Sequence, residues 1–99
     1  MALFEVTSEV LRSKAEELLN LNLQFEGKKI ELENEESGLV MMWEGEAKRL
    51  FHNAFMSDKE QMNVFINLIK QYVEALLGIA QRYEEAEMRN SELASARSY

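Results

Sequence analysis

Residues 38 to 45 read GLVMMWEG, and this segment decides the fold. Gly38 and Gly45 bracket it in a chain that has four glycines and no proline. Glycine commonly ends a helix because it adopts backbone conformations that are closed to other residues. The stretches on either side consist mostly of good helix formers. The sequence therefore predicts two long helices that meet at a turn over about residues 41–45.

The first stretch carries an apolar residue at every seventh position. These residues are Phe4, Leu11, Leu18, Phe25, Leu32 and Leu39. A helix brings every seventh residue to nearly the same side, whereas a strand has a period of two. Thr7 can act as N-cap, with Val6 and Leu11 at the two positions of a hydrophobic staple. A helix over about residues 7–40 is predicted.

The second stretch keeps a 4-3 spacing of apolar residues. Its members are Phe51, Phe55, Met62, Phe65, Ile69, Tyr72, Leu76, Ile79 and Tyr83, and Asp58 is the only polar interruption. We predict a helix over about residues 46–88, and a fraying end or mobile tail over residues 89–99. Flanking apolar residues widen the stripe to about half of the helix circumference. One antiparallel neighbour cannot cover so wide a surface.

These patterns predict an all-α fold in a single domain over residues 1–99. Its architecture is an antiparallel two-helix hairpin that dimerises into a four-helix bundle. Seven residues of the second helix are predicted to form the dimer interface: Phe51, Phe55, Met62, Phe65, Ile69, Tyr72 and Leu76. A smaller stripe on the first helix is either the edge of this contact or a docking surface for another protein. It consists of Leu19, Leu23, Ile30 and Met41.

Composition excludes several classes of function. The net charge of −7 disfavours nucleic acid and anionic lipid as partners. Without cysteine, the chain has no disulfide, thiolate metal site or cysteine nucleophile. The first residues lack a basic segment followed by a long apolar run, so no ordinary signal peptide is expected. No apolar run approaches the roughly 20 residues that span a bilayer, so a soluble protein is expected.

No set of residues predicts catalysis or metal binding. His52 is the single histidine, and no cysteine or second histidine can complete a ligand set, so a surface or capping role is expected. Adjacent acids such as Glu84 and Glu85 project about 100° apart on a helix and do not converge on one substrate. No phosphate-binding glycine loop or nucleophile-and-base pattern is present. We therefore expect no catalytic site, cofactor, metal or small-molecule substrate.

Two short patterns stand out for their positions. Trp43 lies at the turn, two residues before Gly45, where its ring can cover the ends of both helices and leave an apolar edge for a partner. Tyr83 and Glu87 are four residues apart, so both project from one side of a helix and one partner can contact them together. In an isolated helix, the same pair is a core tyrosine followed by a solvated glutamate.

With these patterns, the chain resembles the WXG family of early-secreted-antigen-like (ESAT-like) proteins, which travel through type VII secretion systems. The resemblance rests on the chain length, the Val6-Thr7 helix start, Trp43-Glu-Gly45 in mid-chain and the segment Tyr83-Glu-Glu-Ala-Glu87. It covers nearly the whole chain, although Ser8 stands where such helix starts often have proline. It implies a secreted protein that acts as a substrate or as a helper for co-exported proteins.

The resemblance also implies a functional site. Tyr83 would be the aromatic anchor of the family's export motif, and Glu87 would be its acidic member. In an antiparallel dimer of hairpins, the turn with Trp43 and Gly45 of one subunit would lie beside the tyrosine motif of the other. Together they would form a bipartite signal for a membrane-bound motor ATPase. The partner chain is either a second copy or a related WXG-like chain.

Two other functions fit the same amphipathic helices. An intracellular helical adaptor or chaperone would use the apolar surface to hold a partner and would never be exported, and it would need neither the tyrosine motif nor a mobile tail. A membrane-active hairpin is disfavoured, because its polar side is acidic and carries few lysines and arginines. Appearance of the protein in culture supernatant without lysis would distinguish export from the adaptor role.

Overall fold

A computed structural model describes residues 6–96 of the chain. Two helices account for most of them: α1 spans Ser8–Met41 and α2 spans Glu46–Ala96. They pack against each other as an antiparallel hairpin, in a rod about 83 Å long and 21 by 15 Å across. The described residues contain no strand, which confirms the predicted all-α hairpin. Phe4 and residues 97–99 lie outside the described part.

The start of α1 and the turn after it show the local features that the sequence predicts. The Thr7 hydroxyl accepts a hydrogen bond from the Val10 N–H at 3.2 Å, so Thr7 is the N-cap of α1 as predicted. At the other end of α1, the Met42 N–H donates to the Leu39 carbonyl at 3.0 Å. Gly45 has a φ of 107°, a backbone conformation that favours glycine. The reversal therefore depends on Gly45.

The predicted end of the second helix, at about residue 88, is too early. Helix α2 continues to Ala96, over a segment that has no apolar stripe. Periodicity marks where a helix buries a face, but a helix can extend further when its residues have high helix propensity. Residues 88–96 include methionine, arginine, glutamate, leucine and alanine, which meet that condition.

The residues that α1 and α2 turn toward each other, here called the seam, recur every seven positions. The buried residues of α1 are Ser8, Ala15, Asn22 and Glu36, and the buried apolar residues of α2 are Ile66, Val73 and Ala80. The predicted leucine and phenylalanine stripe of α1 lies beside the seam, and Phe25, Leu32 and Leu39 remain exposed. The centre of the hairpin is therefore formed by small and polar side chains of α1 and by Ile66, Val73 and Ala80 of α2.

Polar contacts cross this seam along its length. The Asn22 amide donates to the Ile66 carbonyl at 3.1 Å, and Lys29 donates to the Asn63 side chain at 2.6 Å. Within the described residues, the Oδ1 atom of Asn22 is buried and has no hydrogen-bond partner. The buried Asn22 bond favours this pairing of helix sides, because the Asn22 amide would be desolvated without a partner in a shifted arrangement.

The His52 side chain is 44% exposed, and it also contacts the other helix, which the sequence did not predict. Its Nδ1 atom lies 2.5 Å from Oε1 of Glu36, whose side chain is buried in the seam. Glu36 was indistinguishable in the sequence from the surrounding acids, because periodicity does not show which acid faces the other helix. The pair ties the two helices together near the turn.

Candidate functional site

One side of the rod is a continuous apolar surface, here called the apolar face. Both helices contribute to it: Leu11, Leu18, Phe25, Leu32 and Leu39 come from α1, and Phe51, Phe55, Met62, Phe65, Ile69, Tyr72, Leu76 and Tyr83 come from α2. The rings of Phe25 and Phe65 meet across it, with centroids 5.3 Å apart. The large residues of the two predicted stripes thus share one side, whereas other apolar residues, such as Leu23, Ile30 and Val64, are exposed outside this set.

All seven residues predicted for the dimer interface lie on this face. Phe51, Phe65 and Tyr72 are 41%, 46% and 50% exposed, and the other four are partly exposed. A single hairpin leaves these large side chains in water, where burial would be favourable by about 25 cal/mol per Å² of apolar surface. The arrangement suits contact with another chain, and the interface itself stays a prediction.

Two hollows on the apolar face could receive side chains from another chain. One, of about 280 Å³, lies at mid-rod and is lined by Leu18, Leu21, Asn22, Phe25, Phe65 and Ile69. The other, of about 510 Å³, lies near the turn, and its lining includes Leu32, Leu39, Phe51 and Phe55. Both hollows bridge the two helices, so an inserted side chain would contact α1 and α2 together.

Trp43 packs against the beginning of α2. Its ring is partly exposed, and its centroid lies 5.7 Å from the centroid of Phe51, with the two rings tilted by 48°. Phe51 belongs to the apolar face, so the tryptophan extends that face to the turn end of the rod. A hollow of about 580 Å³ adjoins the turn, lined by Val40, Glu44, Gly45, Lys48, Arg49 and His52.

Tyr83 and Glu87 lie at the other end of the rod, beside the start of α1. Tyr83 is 42% exposed on the apolar face, and Glu87 is also exposed. The Glu87 carboxylate accepts hydrogen bonds from Ser8, from the N–H at 3.4 Å and from the hydroxyl at 3.1 Å. The sequence did not predict this contact between residues 79 positions apart. The acid of the predicted motif therefore also links the two helices.

Glu84, next to Tyr83, is also tied to α1. The Arg12 guanidinium donates to both of its carboxylate oxygens, with a shortest separation of 2.5 Å. This hydrogen bonding lowers the pKa of Glu84 from its ordinary value, and the charge of Arg12 contributes to the same effect. Glu85 is exposed, and only its backbone carbonyl is engaged, by Arg89. Glu85 is therefore the better neutral control for this region.

The turn and the tyrosine pair cannot meet within one chain. The Trp43 ring packs against Phe51. Phe51 and Tyr83 are 32 residues apart on α2, which corresponds to a distance of about 48 Å at 1.5 Å per residue. Two chains that run in opposite directions would bring the turn end of one beside the tyrosine end of the other. A site that combined the two features would therefore require two chains.

Other kinds of site find little support in the described part of the chain. Within residues 6–96, no three histidine, aspartate or glutamate side chains are grouped so that they could hold a metal ion. None of the helices described is both long enough and apolar enough to cross a membrane. The features that remain are the apolar face, the tryptophan turn and the tyrosine pair.

Comparison with known families addresses these features together. The sequence model of the WXG100 family, described as proteins of 100 residues with WXG, matches residues 3–88. It is a family of small helical secreted proteins, not of enzymes, and its members pair with each other. No curated protein and no solved structure matches the chain. Because the match spans both helices and the turn, the chain belongs to the WXG100 family.

Proposed function

We propose that this protein is exported as a folded pair by a type VII secretion system, as a substrate or as a helper for co-exported proteins. The observation that carries the proposal is the arrangement of three features along a single hairpin. An uncovered apolar face runs from the Trp43 turn at one end to the exposed Tyr83 and Glu87 at the other. Family membership supports the same conclusion.

The proposed pair is a homodimer that forms a four-helix bundle through the apolar face. Two antiparallel rods would cover each other's phenylalanine and methionine side chains and Tyr72, and they would fill the two hollows. The acidic residues would remain in water on the outer sides. A related WXG100 chain would satisfy the same surface, so the oligomeric state of the purified protein distinguishes a second copy from a different partner.

The proposed export signal consists of parts from both subunits. Trp43 and Gly45 of one rod would lie beside Tyr83 and Glu87 of the other, in a composite surface with an aromatic centre and an acidic edge. A basic group of the motor ATPase could bind the acid through a charge-assisted hydrogen bond, while an apolar pocket takes the Tyr83 ring. Each dimer would carry two such surfaces, and the protein would be extracellular after export.

Substitution of Tyr83 by alanine in the native host tests this proposal. The change removes an exposed ring, so helicity and pairing should stay close to normal while the secreted fraction falls and protein accumulates inside the cell. Glu85→Ala is the matched control, because it alters an exposed side chain two residues away and should leave export unchanged. Glu87→Ala should resemble Tyr83→Ala in export.

The result is decided by the ratio of secreted to cellular protein, measured together with circular dichroism of each purified variant. Undiminished export of the Tyr83→Ala, Glu87→Ala double variant would contradict the motif assignment. Absence of the wild-type protein from the supernatant of unlysed cells would favour the intracellular adaptor role instead.

A further inference from the structure

The contact between Glu87 and Ser8 closes the open end of the hairpin. Both oxygens of the carboxylate are used: Oε1 accepts from the Ser8 backbone N–H at 3.4 Å, and Oε2 accepts from the Ser8 hydroxyl at 3.1 Å. Ser8 is only 8% exposed, although it is the first residue of α1. A serine at a helix start is ordinarily solvated, so its burial here depends on α2.

Helix physics explains why an acid is held at this point. The first N–H groups of a helix have no partner within it, and the aligned peptide dipoles favour negative charge beside them. Thr7 satisfies the Val10 N–H, and the first backbone bond of the helix runs from the Leu11 N–H to the Thr7 carbonyl. Glu87 supplies an acceptor for another of these donors, the Ser8 N–H.

The same end of α1 holds the turn of α2 that contains the tyrosine pair. Arg12, one helical turn after Ser8 on α1, binds Glu84. Helix α1 therefore contacts both ends of the segment 84–87. Because α1 begins at Ser8, no other helix of residues 6–96 continues beside α2 after Glu87. Among the hydrogen bonds of residues 6–96, the Ser8 contact is thus the last one that joins the two helices toward the end of α2.

We infer that Ser8 is a positioning residue for the proposed export signal. Its hydroxyl and N–H hold the Glu87 carboxylate, and with it the last supported turn of α2, so that Glu87 stays at a fixed spacing from the Tyr83 ring. Each carboxylate oxygen has two lone pairs, so the exposed acid keeps acceptor capacity for a basic group of the motor ATPase. This inference rests on the proposed function.

The test compares Ser8→Ala with Ser8→Thr in the full-length protein. Ser8→Ala removes the hydroxyl donor but keeps a good helix former, whereas Ser8→Thr keeps the donor. Ser13→Ala is the matched control, because Ser13 is an exposed serine of the same helix. Two quantities are measured: amide hydrogen exchange of residues 84–90 in the purified protein, and the secreted fraction in the native host.

We expect Ser8→Ala to speed exchange of the 84–90 amides severalfold and to lower the secreted fraction severalfold, with overall helicity and pairing unchanged. Ser8→Thr should restore both quantities toward wild type, and Ser13→Ala should alter neither. Suppose that the Tyr83→Ala and Glu87→Ala proteins stay inside the cell while the Ser8→Ala protein is exported normally. This result would refute the positioning role and leave the proposed function intact.

A second result would also overturn the inference. If Ser8→Ala lowers export but leaves amide exchange unchanged, Ser8 does not act by holding α2. The exchange measurement needs no secretion machine, so it remains informative even if export of the Tyr83 and Glu87 variants proves undiminished. In that case the proposed function fails, whereas faster exchange in Ser8→Ala would still establish the structural tie.

Discussion

Glu36 is the deepest carboxylate in the described chain, and His52 is its partner across the seam. A buried acceptor that loses its partner costs about 1–3 kcal/mol, more when it is charged. We therefore expect His52→Ala to lower the free energy of unfolding by at least about that amount. Urea denaturation followed by circular dichroism measures it. Asn53→Ala, an exposed neighbour, is the control, and an equal loss in both variants would show that the pair contributes nothing specific.

Arg12 and Glu84 give a pH-dependent contribution to stability. The pKa of Glu84 is lowered in the folded protein, so the contact stabilises the fold above the ordinary pKa of the acid, 4.5. That contribution is lost as the pH falls through the lowered pKa. The melting temperature of the wild type should therefore be higher than that of Arg12→Ala at pH 7, and the two melting temperatures should converge in strong acid. Both side chains are largely exposed, so the difference should be small and should shrink further in high salt.

Thermal melts at several pH values and two salt concentrations check this prediction. The control is Glu85→Ala, whose melting temperature should follow wild type across the series. A gap between wild type and Arg12→Ala that is constant from pH 7 into strong acid would mean that Arg12 acts through packing of its aliphatic stem.

At the scale of the elements, the sequence was sufficient for the two helices, the turn and the N-cap. These features depend on local signals: the apolar period, Gly45 and Thr7. Which side of each helix faces the other was not predictable, because α1 contributes small and polar residues such as Ser8 and Ala15 to the seam. An amphipathic pattern indicates where a helix is apolar, but not whether a partner helix or a partner chain covers that side.

The candidate site was predictable to a similar degree. Trp43, Gly45, Tyr83 and the seven apolar positions were identified from spacing and resemblance, and the structure shows them on one exposed side or at the rod ends. Ser8 and Arg12 were missed as parts of the site. Their contacts join residues more than 70 positions apart, and a hydrogen bond over such a separation leaves no periodic signal in one sequence.

Asn22 provides a test of how the seam selects one helix arrangement. Its amide donates to the Ile66 carbonyl, but its Oδ1 atom is buried without a partner, which carries a desolvation cost. Asn22→Leu keeps the branched shape of the side chain and removes the unpaired oxygen, so it should raise the free energy of unfolding by about 1 kcal/mol. A buried polar residue also specifies register, so the variant should form more than one assembly.

Thermal melting and size-exclusion chromatography measure these two effects. Asn20→Leu is the matched control, since Asn20 is exposed on the same helix and the change should leave the assembly unaltered. A lower melting temperature for Asn22→Leu would mean that its bond to Ile66 outweighs the unpaired oxygen.

At the scale of the whole molecule, a single hairpin buries little apolar surface. Among residues 6–96, the buried apolar side chains are Ala15, Ile66, Val73 and Ala80, and two of these are alanines. Most of the available hydrophobic stabilisation therefore depends on covering the apolar face. We expect the melting temperature to rise with protein concentration, because association adds stability by mass action.

Ile69→Asp tests which face is covered. A carboxylate at the mid-rod hollow would be buried without a partner, at a cost of several kcal/mol, so the pair should dissociate or unfold. Asn67→Asp introduces the same group at an exposed position two residues away and should remain paired. Light scattering with circular dichroism gives the result. A stable pair with Ile69→Asp would place the contact on another side of the rod.

The order of contacts along the seam also has a mechanical consequence. Ser8 and Glu87 meet at the open end of the rod, so a pulling force on the last part of α2 reaches that contact first and the Arg12–Glu84 contact next. The contacts nearer the turn bear the force only after these two have broken. The helices would therefore separate one contact at a time from the open end, and not by simultaneous sliding along the whole length. A rod that yields in this way resists bending along its length and yet opens under a small force applied at one end.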